Sequence, residues 1–330
     1  MRIAFLVNHD VELRARQTTS MLMRAALERG HEAFVFGVVD LTMRSDRTVT
    51  GVGRRLERAD DVSSMLAKLM AAPRQVVELS GFDVLLARTS PGRDQQRAWA
   101  HDTALHFCRL LREQGVVVLN DPDGLARAAT KMYLSFLHEE ASPETVISRD
   151  PAVLKAYVTG RTEPTVLKPL LGTRGTDVFL LRPDEVTNLN QIIDVLTRDG
   201  YAMAQSYMPE AVNGDTRVLL LEGEPLMIGE HAAAIRRIPG GGDFRSNVHV
   251  GGTAAPGFLN DAARRIAANI GPRLRADGLF LVGMDLVGQR MVELNVFSTG
   301  GLHDAEINCG VSFTGRIIEA VEARVARRGA

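Results

Sequence analysis

Lysine is nearly missing from this chain: it occurs four times, at Lys68, Lys131, Lys155 and Lys168, against 35 arginines. A chain that gives almost every surface cation to arginine makes each remaining lysine worth a reason. Lys68 and Lys155 fall on amphipathic helical patterns and read as surface. Cysteine is as scarce. Cys108 and Cys309 belong to no spaced motif, which argues against a disulfide framework and leaves reduced cytosolic thiols as the expectation. No apolar run approaches the roughly 20 residues of a membrane span. The apolar start MRIAFLVNHD lacks a small-residue cleavage site, so it reads as a first strand and not as a leader. A net charge of −1 gives no whole-chain basic field for nucleic acid. No G-x-G-x-x-G follows the first strand, so the opening layer is not an obvious dinucleotide site. Internal repeats and low-complexity tails are absent as well.

The remainder is ordinary for a soluble enzyme: 330 residues, 45% hydrophobic and 24% charged, enough for two or three small domains with cores of their own. Patterning predicts a strand over 2–7, a helix over 16–29 ending at Gly30, and a strand over 31–39. Residues 40–75 are charged and weakly patterned. A strand at 82–87, a helix over 94–114 and a short strand at 116–119 complete an open, mostly parallel α/β sheet. The turn cluster Asn120-Asp121-Pro122-Asp123-Gly124 marks a boundary. Beyond it the periodicity predicts a helix around 126–139, strands at 145–147, 165–168 and 177–181, and helices over 151–159 and 184–198, the last capped by Asp184. From Ala202 the texture is antiparallel, with a helix over 260–277 and a last helix over 311–327.

The stretch Phe280–Gly301 carries the clearest chemistry. It reads as two β-branched runs joined at a glycine, the pattern of a hairpin, and holds the oxygen side chains Asp285, Glu293 and Asn295. Glu293 and Asn295 are two apart and share a face of their strand. A two-residue turn at Gly288-Gln289 pairs Asp285 with Val292 and sends the carboxylates to opposite faces. A three-residue loop pairs Asp285 with Glu293, and opposed like charges of that kind call for a cation between them. Hard oxygen ligands with no histidine nearby suit Mg²⁺ shared with phosphates.

Other stretches add to this. Lys168 ends a strand just before Pro169 and the loop Gly172–Gly175, where a compact charge and accessible backbone N–H groups suit phosphate. Gln205, Tyr207 and Met208 lie on an extended segment that can present backbone groups to an adenine edge while packing on its face. Arg217, alternating with Asp215 on one strand, and Arg237, ending another, are placed to neutralise a transferred phosphoryl group. The glycine-rich stretch 238–252 reads as a lid.

In this order the pieces NDPDGLARAATKMYL, TVLKPLLGTRG, AMAQSYMPEAVNGDTRVLLLEGEPL, RRIPGGGDFRSNVHVGG and LVGMDLVGQRMVELNV resemble the bacterial glutathione synthetase group of the ATP-grasp ligases, over nearly the whole chain. The resemblance implies an ATP-grasp fold, mixed α/β and α+β. It comprises an N-terminal substrate domain at 1–121, a small lobe at 122–201, and a C-terminal lobe at 202–330 that carries the lid 238–252 and the hairpin 280–297. It implies that Lys131, Lys168 and Gly175 contact ATP phosphates, that Gln205, Tyr207 and Met208 form the adenine hinge, and that Asp215 lies near the ribose. Arg217 and Arg237 would hold the phosphoryl group and the reacting carboxylate. Asp285, Glu293 and Asn295 would hold two Mg²⁺ ions, with Mn²⁺ a chemical substitute, which selects the three-residue loop. Arg88 and Asn247 would contact substrate, together with Ser298, Thr299 and Gly300.

The implied activity is ATP-dependent joining of a small-molecule carboxylate to an amine through an acyl phosphate, by a cytoplasmic homodimer or homotetramer with neither nucleic acid nor membrane as partner. Two segments depart from the family. Thr89-Ser90-Pro91-Gly92-Arg93 replaces a lysine-aspartate-double-proline, and 297–306 lacks the usual serine-proline-threonine run. Both concern substrate. They admit a ligase for another small γ-glutamyl or amino-acid substrate beside the glutathione reading. A synapsin-like module that binds ATP without catalysis has no need of metal ligands, both arginines and a lid together, and RimK-like modification of a protein terminus is a further rival.

Overall fold

The computed structural model describes residues 1–137, 141–172, 176–184, 186–240 and 252–328. The chain opens on β1 (Arg2–Val7), α1 (Thr18–Glu28) and β2 (Glu32–Met43), with the two strands parallel. α1 buries Leu22, Met23, Ala26 and Leu27 along one side. It stops where Gly30, at φ +82°, donates its N–H to Leu27 O while the His31 N–H reaches Ala26 O, a double closure that a left-handed glycine permits. There follow β3 (Val49–Arg55), α2 (Val62–Ala71), β4 (Gln75–Glu78), β5 (Val84–Ala87), α3 (Ala98–Glu113) and β6 (Val117–Leu119). The strand order is β4-β3-β2-β1-β5-β6, with β2, β1, β5 and β6 parallel and the β3 and β4 pairings antiparallel. The stretch 40–75, which reads as weakly patterned, therefore contributes the end of β2, the strand β3, the helix α2 and the start of β4. The β3 glycines conceal it: a Cβ on Gly53 would fall 2.5 Å from the Phe36 ring, so this strand must be bare where it crosses Phe36.

Next come α4 (Pro122–Arg127), β7 (Thr145–Ser148), α5 (Pro151–Thr159), β8 (Thr165–Pro169), β9 (Phe179–Leu181), α6 (Leu189–Thr197) and β10 (Ala202–Ser206). The helix expected over 126–139 is instead α4 followed by a 3-10 turn over Lys131–Phe136, opened by Thr130, whose hydroxyl accepts the Met132 N–H. α6 begins at Leu189, so Asp184 is not its cap. The small sheet runs β7-β10-β8-β9 with its own core, in which Leu154, Val158, Leu167, Ile193 and Leu196 are buried. Because β10 lies between β7 and β8, this sheet extends to Ser206, past the boundary expected at 201.

The rest of the chain forms β11 (Asp215–Leu221), β12 (Glu224–Pro225), β13 (Met227–Ile228), β14 (His231–Ala232), β15 (Ala234–Ile238), β16 (Thr253–Pro256), α7 (Asp261–Ala276), β17 (Leu281–Val287), β18 (Arg290–Asn295), α8 (Leu302–Cys309) and α9 (Phe313–Arg328). The large sheet is antiparallel, in the order β16-β15-β11-β17-β18 with β12 on β11. α8, set between left-handed Gly301 and Gly310, was not apparent in the sequence. α9 packs back on α1: Phe313, Ile317 and Val321 share a core with Leu22, Met23 and Ala26, and Glu322 accepts from Arg29 and pairs with His31, both at 2.7 Å.

The hairpin corrects the turn length and keeps the pairing. Val287 pairs with Arg290 across a two-residue turn, and Leu286 pairs with Met291, but Asp285 then stands opposite Glu293. Val292 is the extra residue of a β-bulge, and that bulge returns the two carboxylates to facing positions.

Asn120, 4% exposed, ties this hairpin to the first sheet. Its side chain donates to Val296 O at 2.7 Å and Leu281 O at 3.1 Å and accepts the Leu281 N–H at 2.8 Å. Asn120→Ala leaves buried backbone groups unpaired, and we expect a loss of about 2–4 kcal/mol in urea unfolding. A loss under about 0.5 kcal/mol would show that the hairpin does not depend on this side chain.

Candidate active site

A cleft lies between the two α+β lobes. The small lobe lines it with Val166, Lys168, Pro169, Val178 and Gln205, the crossing segment with Ser206, Tyr207 and Met208, and the large lobe with Asp215, Arg237, Asp285, Val287 and Glu293; Lys131 reaches it from the 3-10 turn. Lys168 and Gln205 project from neighbouring antiparallel strands, and the Lys168 amine donates to Gln205 Oε1 at 3.0 Å while Gln205 Nε2 donates to Thr145 Oγ1 at 2.9 Å. The Lys131 amine donates to Gly172 O at 3.0 Å and Pro169 O at 3.2 Å. Burial pushes the Lys168 amine down to about 8, helped by the neighbouring Lys131 charge and opposed by Glu293. Burial lowers Lys131 as well, again against Glu293. Two desolvated ammonium groups side by side are poorly compensated until an anion arrives, which is what a polyphosphate site requires.

The floor is a cross-strand ion network. Asp285 is 1% exposed and stands opposite Arg217, which grips it through Nε at 2.6 Å and a second guanidinium nitrogen at 2.7 Å. Arg237 stands opposite Asp215, holds it at 2.6 and 2.8 Å, and also reaches Asp285 at 2.8 Å. Asn295 donates to Asp285 at 3.1 Å. Burial opposes the charge on Asp285, but Arg217 and Arg237 outweigh it and keep the carboxyl well below its ordinary range. Burial likewise opposes the charge on Arg237, and Asp285 with Asp215 holds that guanidinium protonated far above its ordinary value.

The expected metal ligands are therefore neighbours: Asp285 faces Glu293, and Asn295 touches Asp285. Among the described residues no group of three or more His, Cys, Asp or Glu is placed to hold a metal ion. Two carboxylates and an amide fall short of a closed cage and leave positions for phosphate oxygens, which fits Mg²⁺ delivered with a nucleotide. Arg217 and Asn295 reach the cleft through Asp285. Gly175, Asn247 and most of the lid 238–252 lie outside the described residues.

Arg88 follows β5 at the point where the strand order of the first sheet reverses, the usual place for a ligand crevice in such sheets. It is 6% exposed, and no carboxylate among the described residues lies within ion-pair distance of it. Its Nε donates to Thr19 Oγ1 at 3.2 Å and a further nitrogen to Thr299 O at 3.0 Å. Burial, with Arg93 nearby, pushes it down to about 10. Ser298 meets the same cluster, its N–H donating to Thr89 O at 3.0 Å and its hydroxyl lying 3.3 Å from Thr19 Oγ1. Thr299 Oγ1 is buried without a partner among the described residues, and a Cβ on Gly300 would meet open space. A Cβ on Gly283 would fall 2.3 Å from Thr299 Oγ1 and 3.3 Å from the Arg217 stem, so the 298–301 loop lies against the arginine that grips Asp285. Thr19 and Gly283 carry no signal in the sequence; they are 69 and 195 positions from Arg88, and only the fold makes them neighbours.

Two α+β lobes around a cleft of lysines, arginines and carboxylates define the ATP-grasp fold. The D-cycloserine synthetase structure superposes at TM-score 0.66 with 17% identity, covering 98% of this chain and 99% of that one. The D-alanine-D-alanine ligase from Coxiella burnetii superposes at 0.65 with 11% identity, covering 100% and 96%. The family follows from sequence. The N-terminal domain model of prokaryotic glutathione synthetase matches residues 1–126 and its ATP-grasp domain model residues 130–309. Glutathione synthetase from Shewanella oneidensis is 32% identical over 322 residues, 96% of each chain. The chain belongs to the prokaryotic glutathione synthetase family, which works on small molecules and uses ATP and Mg²⁺ generally. Among the described residues no helix is long and apolar enough to cross a membrane.

Because the Lys168 amine sits at about 8 in the free protein and bound phosphate favours its charged form, nucleotide affinity should be level near pH 7 and weaken as pH rises through 8, by up to tenfold per unit. Calorimetric titration with nucleotide between pH 7 and 9.5 reads this, and Lys168→Met should flatten the profile. A level profile in the unaltered protein would refute the assignment.

Proposed function

We propose that this protein is a glutathione synthetase: it joins γ-glutamylcysteine to glycine while ATP goes to ADP and phosphate. One observation carries the reading. The loop that cradles Arg88 lies against the stem of Arg217, so a buried cation with no carboxylate partner among the described residues sits beside an arginine that we read as directed at the phosphoryl group. A substrate bearing one carboxylate to be anchored and another to be activated suits that arrangement, and γ-glutamylcysteine has both.

In this reading Gln205, Tyr207 and Met208 receive the adenine, Asp215 lies near the ribose, and Lys131 and Lys168 exchange their present partners for phosphate oxygens. Arg217 and Arg237 steady the transferred phosphoryl group and the carboxylate that accepts it. Asp285, Glu293 and Asn295 would hold Mg²⁺, which offsets phosphate charge when bound. The substrate carboxylate attacks the γ-phosphorus and ADP leaves. The amine of glycine then attacks the acyl phosphate carbon, loses a proton and expels phosphate. The chain's contribution is placement and charge, with Arg88, Ser298, Thr299 and Gly300 holding the acceptor end. Free thiols at Cys108 and Cys309 suit a reducing cytoplasm, and a homodimer or homotetramer is the matching assembly.

The test is phosphate release from Mg-ATP with γ-glutamylcysteine, with and without glycine, and mass detection of the product. Release that requires both, with glutathione formed, is expected. Turnover only with other carboxylates or amines would overturn the substrate assignment while leaving the ligase class intact. Arg88→Met should raise KM for the dipeptide roughly 10- to 100-fold, the loss of a charge-assisted contact, and leave KM for ATP unchanged. An unchanged dipeptide KM would remove Arg88 from the substrate site.

A further inference from the structure

Lys131 and Tyr133 are two residues apart on one short turn, yet they are fixed to different lobes. Lys131 is tied to the small lobe: its backbone N–H donates to Leu170 O at 3.4 Å, and its amine to Pro169 O and Gly172 O. Tyr133, 2% exposed, donates its hydroxyl to Asp277 Oδ2 at 2.7 Å, just past the end of α7 in the large lobe. Asp277 is buried too, and gathers Arg127 and, at 2.6 Å, Arg273. The approach to this berth is closely built. The Asp121 N–H donates to Gly278 O at 3.0 Å, and a Cβ on Gly124 would fall 1.9 Å from Asp277 O. The segment leading to Lys131 is thus docked on the α7–β17 junction, away from the cleft.

The amine contacts of Lys131 are the ones an arriving phosphate competes with. The Tyr133–Asp277 contact persists through that exchange, since neither group faces the cleft. We propose that Asp277, acting through Tyr133, is a positioning residue for the nucleotide: it fixes the 131–136 turn to the large lobe and so sets where the Lys131 amine stands when phosphate replaces the carbonyls of 169 and 172. The inference rests on the reading of Lys131 as a phosphate contact.

A double-mutant cycle tests it. Binding of Mg-AMPPNP is measured by calorimetry for the unaltered protein, Tyr133→Phe, Lys131→Ala and the double variant. Tyr133→Phe keeps the ring in the core and removes only the hydroxyl. It should weaken binding roughly fivefold, a fraction of the worth of a charge-assisted hydrogen bond because only the placement of the Lys131 amine is lost, and should cause no further loss once Lys131 is alanine. A purely structural role would not move this coupling. Arg127→Gln, which removes a partner of Asp277 without touching Tyr133, should lower the melting temperature and leave affinity unchanged. Unaltered binding by Tyr133→Phe, or the same loss in both backgrounds, would overturn the positioning role. Unaltered binding by Lys131→Ala would overturn the phosphate reading itself, a separate failure.

Discussion

A buried carboxylate shared between two arginines organises the large lobe. Asp285 has almost no water to solvate it, so its charge is tolerable only because Arg217 and Arg237 supply opposite charge within hydrogen-bond reach. The same contacts fix registers. Arg217 must stand opposite Asp285 between β11 and β17, and Arg237 opposite Asp215 between β11 and β15. A slip of one residue would turn these side chains to the other face and bury them unpaired. The bulge at Val292 completes the set by bringing Glu293 round to Asp285. Sheet geometry and proposed chemistry therefore depend on one charge pattern.

The first sheet shares its core with the large lobe, whereas the small lobe keeps a core of its own. That division suits a ligase in which one lobe must admit and release nucleotide while the proposed acceptor site around Arg88 and the arginines proposed to face the phosphoryl group stay in fixed relation. The 298–301 loop, lying on the Arg217 stem and holding Arg88, is the physical link between those two parts.

Much of this was legible in the sequence because hydrophobic periodicity and punctuation agreed: α1 with Gly30, α5 with Pro151 at its start, and the run carrying Asp285, Glu293 and Asn295. The residues that line the cleft were legible as types, since four lysines in a chain of 330 residues make Lys131 and Lys168 conspicuous. What escaped was tertiary. β3 lies in a stretch that reads as weakly patterned because its glycines make room for Phe36. The helix expected through Lys131 breaks into a 3-10 turn, with Thr130 capping it and Tyr133 bonded to a residue 144 positions away. The hairpin register came out right with the wrong turn, because a bulge has no local signature. Asp184 looks like a cap, yet the apolar face that makes α6 a helix starts at Leu189.

The central claim is that the cations around Asp285 serve to make an acyl phosphate. It is tested most directly by incubating the protein with Mg-ATP labelled with heavy oxygen in the β,γ bridge and with γ-glutamylcysteine, leaving glycine out. Reversible phosphoryl transfer to the carboxylate frees the β-phosphate to rotate, so the label should move to a non-bridging position only when the dipeptide is present, and this scrambling should vanish in Arg217→Met. No scrambling in a protein that keeps ADP bound and makes glutathione once glycine is added would contradict the account.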